Sequence, residues 1–450
     1  MRKKILVIFV LALVVRLAFF VAFAVHEGSF NFWVGSQDSH SFINEAVNVY
    51  AGRGFSAQEQ EPFAPDGIRT PVVPLILGLF VPYFGIYVLL QIVAASLSVV
   101  LLYKIGDQLF GSKIAFWAAI IFALDPLSAF HSLTILSETW FTFFFLIGTW
   151  FFVRFWKQAA ESHWKLLVLS AVFLGVTTLT RPVGIVPAFL FGLAVLLFKK
   201  LDARQRIAAA LTFLAVFSLT ISPWLVRNYQ AFGKVGLSYI PAYNWYHFNA
   251  RMIYAQQEGI SKEEAKAEFR KWESAEIEKN PDSNGFTLQS FYFKKALEVI
   301  KRSPLLYLFY HGVNFSAVYL STGKEDIVKA WTKKSDNINF TAYVMRGWSG
   351  LRDLARDYPA ALAGKLVLVL FYGVILAGFI LSVYKRRRWQ SFLFLLAATL
   401  IFGITTGAVA EPRFRVPVQG FIILMFVYST VLIFNQGKNE DSSLRRNISA

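Results

Sequence analysis

Long apolar runs separated by short polar connections dominate the chain. A helix that crosses the hydrocarbon of a bilayer needs about 20 such residues. Runs of roughly that kind lie at Ile5–Val25, Ile86–Ile105, Ile114–Phe130, Thr139–Phe155, Leu166–Thr180, Val183–Phe198, Ile207–Val226, Leu362–Tyr384, Phe392–Ala410 and Val416–Phe434. The pattern predicts an all-α, polytopic membrane protein of about ten transmembrane helices. Pro71–Tyr83 is apolar but short and holds Pro71, Pro74 and Pro82, which predicts a re-entrant or interfacial helix. Leu305–Leu320 carries a histidine and an asparagine and precedes a charged loop, so it reads as a helix along the membrane surface.

Two polar stretches are long. His26–Thr70 is acidic, and Arg227–Ala361 spans about 135 residues. The second predicts charged helices over Ser261–Asn280 and Leu288–Lys301, with Ser261 and Glu264 as a capping box. The organisation read from this is one transmembrane domain, residues 1–436, that includes both outer segments (26–70 and 227–361). A cytoplasmic polar tail follows at 437–450. Ala22 and Ala24 offer only a weak cleavage site, and the stretch before them is long and interrupted by Arg16, so residues 1–25 read as a retained span.

Composition supports the lipid setting. Hydrophobic residues make up 56% of the 450 positions and charged residues 16%, with a mean hydropathy of +0.49. That excludes a disordered chain and an ordinary cytosolic enzyme. With no cysteine, disulfides and thiol chemistry are excluded too. The formal charge is +17. In a membrane protein this is the mark of basic cytoplasmic loops, and no nucleic-acid partner is expected. Arg2-Lys3-Lys4, the connections around Lys104–Lys113, Arg154–Lys165 and Lys199–Arg206, and the run Lys385-Arg386-Arg387-Arg388 all fall on one side if both termini are cytoplasmic. No P-loop, GxGxxG or HExxH motif is present.

Ionisable residues at the membrane boundary are costly and invite a functional reading. Asp38, Arg69, Asp125, Glu138, Arg181, Arg227, Glu411, Arg413 and Arg415 all map at or near the outer face, although they come from distant parts of the chain. Arginine forks bind phosphate oxygens, and a carboxylate takes a proton from an attacking hydroxyl. A lipid-linked phosphate sugar suits that set. Among these, Asp125 reads as a helix terminator, Arg227 as fixing the exit of a span, and Glu411 as a partner of the neighbouring arginines. Arg16, inside the first span, reads as paired with a buried carboxylate or backbone carbonyl. His40 and His131 are placed to approach Asp38 and Glu138, which leaves a divalent metal open; no other cofactor is expected. Trp245, Tyr246 and Phe248 read as ordinary aromatic packing rather than a sugar platform.

Several pieces together resemble the GT-C superfamily of polytopic glycosyltransferases, in particular the protein O-mannosyltransferase and aminoarabinose lipid A transferase branch. They are Asp38-Ser39-His40-Ser41-Phe42 with Ala46, Arg69-Thr70-Pro71-Val72-Val73-Pro74-Leu75, Ser137-Glu138-Thr139 and Thr180-Arg181-Pro182. Further along come Pro223-Trp224-Leu225-Val226-Arg227-Asn228-Tyr229 and Glu411-Pro412-Arg413-Phe414-Arg415-Val416-Pro417. Their order and shared face carry the resemblance, which covers most of the chain. It implies an inverting membrane transferase with Asp38 as catalytic base and Glu138 as a second site carboxylate. Arg69, Arg181, Arg413 and Arg415 would contact the donor phosphate. Many relatives have Asp-Glu where this chain has Asp38-Ser39, so a role needing the second carboxylate has no residue here.

The implied donor is a polyprenyl-phosphate-linked sugar. The acceptor is a lipid, glycan or protein, and the surroundings are the lipids of the plasma (inner) membrane, with the active site extracytoplasmic. The alternative from another class is a transporter or flippase of a lipid-linked saccharide, which requires functional charges in mid-membrane. A ligase moving whole glycans from a diphosphate carrier shares the same site chemistry.

Overall fold

Inside lipid every backbone N–H and C=O has to be satisfied within its own segment, which makes helices the default. In the computed structural model the described residues are 2–30, 37–158, 164–198, 201–321, 323–332, 343, 346–406 and 411–448, and none of them is in a strand. From the amino end run α1 (Arg2–Glu27), α2 (Gln37–Tyr50), α3 (Val72–Gly78), α4 (Phe84–Phe110), α5 (Ser112–Ala123), α6 (Pro126–His131), α7 (Glu138–Gln158), α8 (Trp164–Thr180), α9 (Ile185–Leu196) and α10 (Ala203–Phe232). A second group follows: α11 (Ile240–Asn244), a π-helical turn (Trp245–Ala250), α12 (Arg251–Glu258), α13 (Lys262–Lys279), α14 (Gly285–Arg302), α15 (Pro304–Leu320) and α16 (Lys324–Thr332). The chain closes with α17 (Gly347–Asp357), α18 (Pro359–Tyr384), α19 (Trp389–Thr406) and α20 (Val416–Ile448).

Each of the ten apolar runs falls mostly on helix over its described residues. Among the described residues six helices are long and apolar enough to cross a membrane, and four shorter ones are apolar. The run Ile114–Phe130 is not one helix. It stops at Ala123, because Pro126 cannot donate to a continuing ladder and disfavours helix before it. Asp125 then caps α6, accepting from the Ser128 amide at 2.8 Å, and Gln419 donates to its other oxygen at 3.0 Å. The short helix at Val72–Gly78 and the Ser261–Glu264 capping box match the sequence pattern. The surface reading of Leu305–Leu320 holds only for its first half. Leu305 and Leu308 are exposed, but Val318 and Tyr319 are buried and the Tyr319 hydroxyl donates to the Thr399 carbonyl of α19 at 2.6 Å.

Helices α4, α7, α8 and α10 pack side by side around a phenylalanine-rich core that includes Phe141, Phe145, Phe152 and Phe191. Small residues bring backbones close, as in other membrane bundles. A Cβ on Gly175 of α8 would lie 2.6 Å from Thr220 Cγ2 of α10. Arg16 is fully buried in α1 and donates to the carbonyls of Ala12 (3.1 Å) and Ala123 (3.3 Å), so it fastens α1 to the end of α5.

The basic groups gather at one end of the bundle. Lys4 donates to Ser112 in the α4–α5 turn at 3.1 Å, and Arg388 donates to the Leu109 carbonyl at 2.8 Å. The start of α7, with Glu138, lies at the opposite end. There Arg227 ties the first long loop to the end of α10. It donates to the carbonyls of Asp66 (2.7 Å) and Phe55 (3.1 Å) and stacks over Trp224 at 4.8 Å. Helices α11 to α14 build a separate aromatic core around Tyr246, Phe269 and Tyr292.

Gly175→Val should force α8 and α10 apart at Thr220. The overpacking cost is about 1–3 kcal/mol. The variant is expected to melt several degrees lower in detergent, read by thermal unfolding of the purified protein, and an unchanged melting point would show that the contact is not tight.

Candidate active site

Asp38 stands in the first turn of α2 and is clamped from two directions. Its Oδ1 accepts from Arg69 Nη2 at 2.9 Å and its Oδ2 from Arg413 Nη2 at 2.8 Å. Arg69 is held by stacking over Phe42 (4.8 Å) and by donating from Nε to the Ser41 hydroxyl at 3.3 Å. Its backbone amide donates to Asp66 at 2.8 Å. Residues 38, 41, 42 and 45 share one face of α2, which is why this face reads the Arg69 loop.

Arg413 lies in the 3-10 turn Pro412–Arg415 that opens α20. Its Nε is 3.8 Å from Glu138 Oε1, and Glu411 pairs with it from the side. Glu138 begins α7, is buried, and accepts from Arg181 Nη1 at 2.7 Å. Arg181 sits in extended backbone before Pro182, where α8 ends. Arg181 and Arg413 both lie over Phe414, at 5.3 and 5.4 Å. The result is an alternating chain of charges, Arg69–Asp38–Arg413–Glu138–Arg181, assembled from five separate segments.

A cavity of about 520 Å³ opens over this chain. All five side chains line it, so three guanidiniums face two carboxylates. One wall is apolar and comes from the spans, with Phe141, Val183, Val186, Phe402 and Pro417. The other carries Asn244, Trp245, Asn249, Tyr307 and His311, from α11, the π-helical turn and α15. Burial pushes the Asp38 carboxyl up, but Arg69 and Arg413 outweigh it and hold its pKa down at about 2. Behind it, burial and then the Asp66 carboxylate push Glu45 well above the usual carboxylate range. Glu45 is buried, with Ser41 donating to it at 3.4 Å.

Three sequence expectations need correction. Arg415 is not at the cavity. It is buried and donates to the carbonyls of Val318 (3.1 Å) and Tyr319 (2.6 Å), because two positions along the turn its side chain points to the end of α15. His40 is exposed on another face of α2 and does not line the cavity. His131 is close enough to Glu138 to act on it electrostatically, yet its ring lies behind the wall, with Nε2 3.4 Å from Asp326. Glu411, by contrast, pairs with Arg413 as its position beside the arginines implies.

A divalent cation does not fit the residues as arranged. Both Asp38 oxygens hold guanidiniums, and among the described residues no three or more His, Asp or Glu side chains form a metal group. Sequence reasoning missed Glu45 and the Asn244, Asn249, Tyr307 and His311 wall. The seven-residue spacing from Asp38 was a signal for Glu45. The wall had none, since α15 and the π-helical turn meet only through tertiary packing.

The comparisons with known proteins agree with this picture. Residues 69–226, about a third of the chain, match the family model of dolichyl-phosphate-mannose-protein mannosyltransferases. That stretch holds Arg69, Glu138 and Arg181 but neither Asp38 nor Arg413. A comparison with curated proteins gives no match. In fold the chain is similar to the archaeal oligosaccharyltransferase AglB of Archaeoglobus fulgidus solved with an inhibitory peptide and a dolichol-phosphate, at 14% identity and a TM-score of 0.52 over 99% of this chain. It is also similar to the same organism's enzyme with Zn and sulfate (13%, 0.51, 96% of this chain) and in its apo form (13%, 0.53, 99%). The chain covers about half the length of these structures, 52%, 49% and 52%. Sequence stretch and fold point the same way: residues 69–226 resemble a membrane mannosyltransferase family, and the chain as a whole shares the fold of the archaeal oligosaccharyltransferase.

Proposed function

We propose that the chain moves one sugar from a polyprenyl-phosphate donor to a lipid, glycan or protein acceptor, with inversion, at the extracytoplasmic face of the plasma (inner) membrane. The observation that carries this reading is a single carboxylate, Asp38, held by Arg69 and Arg413 in a cavity with one lipid-like wall. Both termini are cytoplasmic in this reading, supported by Lys4 and Arg388 each bonding at the α4–α5 turn, the end away from Glu138. A lipid phosphate bound in a protein of similar fold supports the donor class. Arg16, the charge buried in the first span, is spent on backbone carbonyls, so it offers the transporter alternative no mid-membrane site.

The chemistry follows from the clamp. With a pKa of about 2, Asp38 is a poor base while both guanidiniums hold it. A donor phosphate competes for the same forks, since phosphate accepts bidentate arginine bonds as carboxylate does. Arg413 and Arg69 then turn to the phosphate, and Asp38 regains basicity. Asp38 takes the proton of the acceptor hydroxyl, whose oxygen forms the new bond to the anomeric carbon. The bond from that carbon to the phosphate oxygen breaks, and its electron pair leaves with polyprenyl phosphate. Arg413, Arg69 and Arg181 neutralise the leaving group. Glu138 keeps Arg181 and Arg413 aimed at the cavity.

Asp38→Asn should lower turnover by about 10²-fold or more while the protein still binds polyprenyl phosphate. Release of polyprenyl phosphate from a polyprenyl-phosphate hexose reads this, and normal turnover would remove Asp38 from the mechanism. The pH profile gives a second check. The acid limb of kcat/KM reports free enzyme and should lie near the Asp38 value of about 2, at the edge of measurement. The limb of kcat reports the donor complex and should lie higher, in the ordinary carboxylate range; coincident limbs would contradict the exchange of arginines. Chelation by EDTA should leave transfer intact, since the described residues form no group of three or more His, Asp or Glu side chains that could hold a metal ion; activity lost to EDTA and restored by a divalent cation would overturn that.

A further inference from the structure

The wall formed by Asn244, Trp245, Asn249, Tyr307 and His311 is unassigned by the mechanism above. It lines the cavity and comes wholly from the segment between α10 and α16. The apolar span wall suits the donor's tail, and the charged floor suits its phosphate. A sugar is bonded directly to that phosphate, so this third surface is what remains to meet it.

Its chemistry is that of hydroxyl recognition. Amides both donate and accept, imidazole does one with each nitrogen, and a phenol does both. Apart from the His311 ring, none of these five side chains carries a charge; the charged groups lining the cavity, among the described residues, all belong to the floor. Two further observations point to a ligand. His311 packs against Tyr307 (5.6 Å between ring centres), and its Nδ1 is buried with no partner among the described residues, a costly state that a ligand hydroxyl relieves. Trp245 and Asn249 belong to the π-helical turn Trp245–Ala250. Its wider i→i+5 spacing brings positions 244, 245 and 249 to one side, and such turns are frequent at functional sites. Phe293 stacks on Trp245 at 5.2 Å and fixes the indole while it lines the cavity.

We propose that this wall selects the donor's sugar as an uncharged hexose, with Trp245 as the ring platform and Asn244, Asn249 and His311 as hydroxyl partners. The inference rests on the transferase reading above. An amino sugar would add a cation beside three guanidiniums, and a uronic acid would meet no cation on this wall and compete with the phosphate for the floor.

The test uses the full chain in lipid nanodiscs. Wild-type protein is given polyprenyl-phosphate mannose, glucose, 4-aminoarabinose and glucuronate, and should work best on a neutral hexose. Preference for either charged sugar overturns the inference, and this panel needs no variant. His311→Ala and Asn244→Ala should each raise KM for the neutral donor about threefold to tenfold. Inhibition by polyprenyl phosphate, which lacks the sugar, should stay unchanged. Unchanged KM, or equal weakening of the sugar-free carrier, assigns these residues elsewhere and overturns the inference, while carrier binding that depends on Arg413 leaves the transferase reading standing. No transfer from any donor together with no carrier binding would overturn both.

Discussion

A charged group near a bilayer survives only if its desolvation is offset by partners, and removing one partner of a buried pair leaves an uncompensated charge. The whole active region obeys that constraint. Asp38 is neutralised by Arg69 and Arg413, and Glu138 by Arg181 with Arg413 close by. Each charge is the reason its neighbour can be there. Guanidiniums stand at both ends of the alternating chain, so three cations face two carboxylates in the cavity.

The turn Pro412–Arg415 joins the functional surfaces. Arg413 reaches forward to Asp38, Phe414 supports the guanidiniums of Arg181 and Arg413, and Arg415 reaches back to the last carbonyls of α15. A cation at the carboxyl end of a helix is favourable in its own right. By fixing α15, Arg415 also sets where Tyr307 and His311 stand one wall away. Two arginines separated by a single residue thus do different work, one on a carboxylate in the cavity and one on backbone. A similar division appears in the first loop. Arg69 serves the cavity, while Arg227 anchors the loop by its carbonyls at Phe55 and Asp66.

Hydrophobic runs announce membrane helices because lipid offers no hydrogen bonds, so the ten apolar stretches, the capping box at Ser261 and the proline-rich helix at Val72 could all be read without coordinates. The break within Ile114–Phe130 was legible too in principle, since Asp125-Pro126 is a cap followed by a residue that begins helices. The membership of the charge cluster was partly legible. Boundary position singled out Asp38, Arg69, Glu138, Arg181 and Arg413, yet it singled out Arg415 equally and favoured His40, which faces elsewhere.

Side-chain direction is the dividing line. The amino-acid order determined which segments enter lipid, which end of the bundle is basic and which residues carry costly charge, because those depend on composition and period along the chain. Only the tertiary structure decided which of two arginines two positions apart meets a carboxylate, that Glu45 is buried beside Asp66, and that a π-helical turn and α15 line one cavity. Those outcomes depend on packing between segments far apart in the chain, which no local pattern encodes.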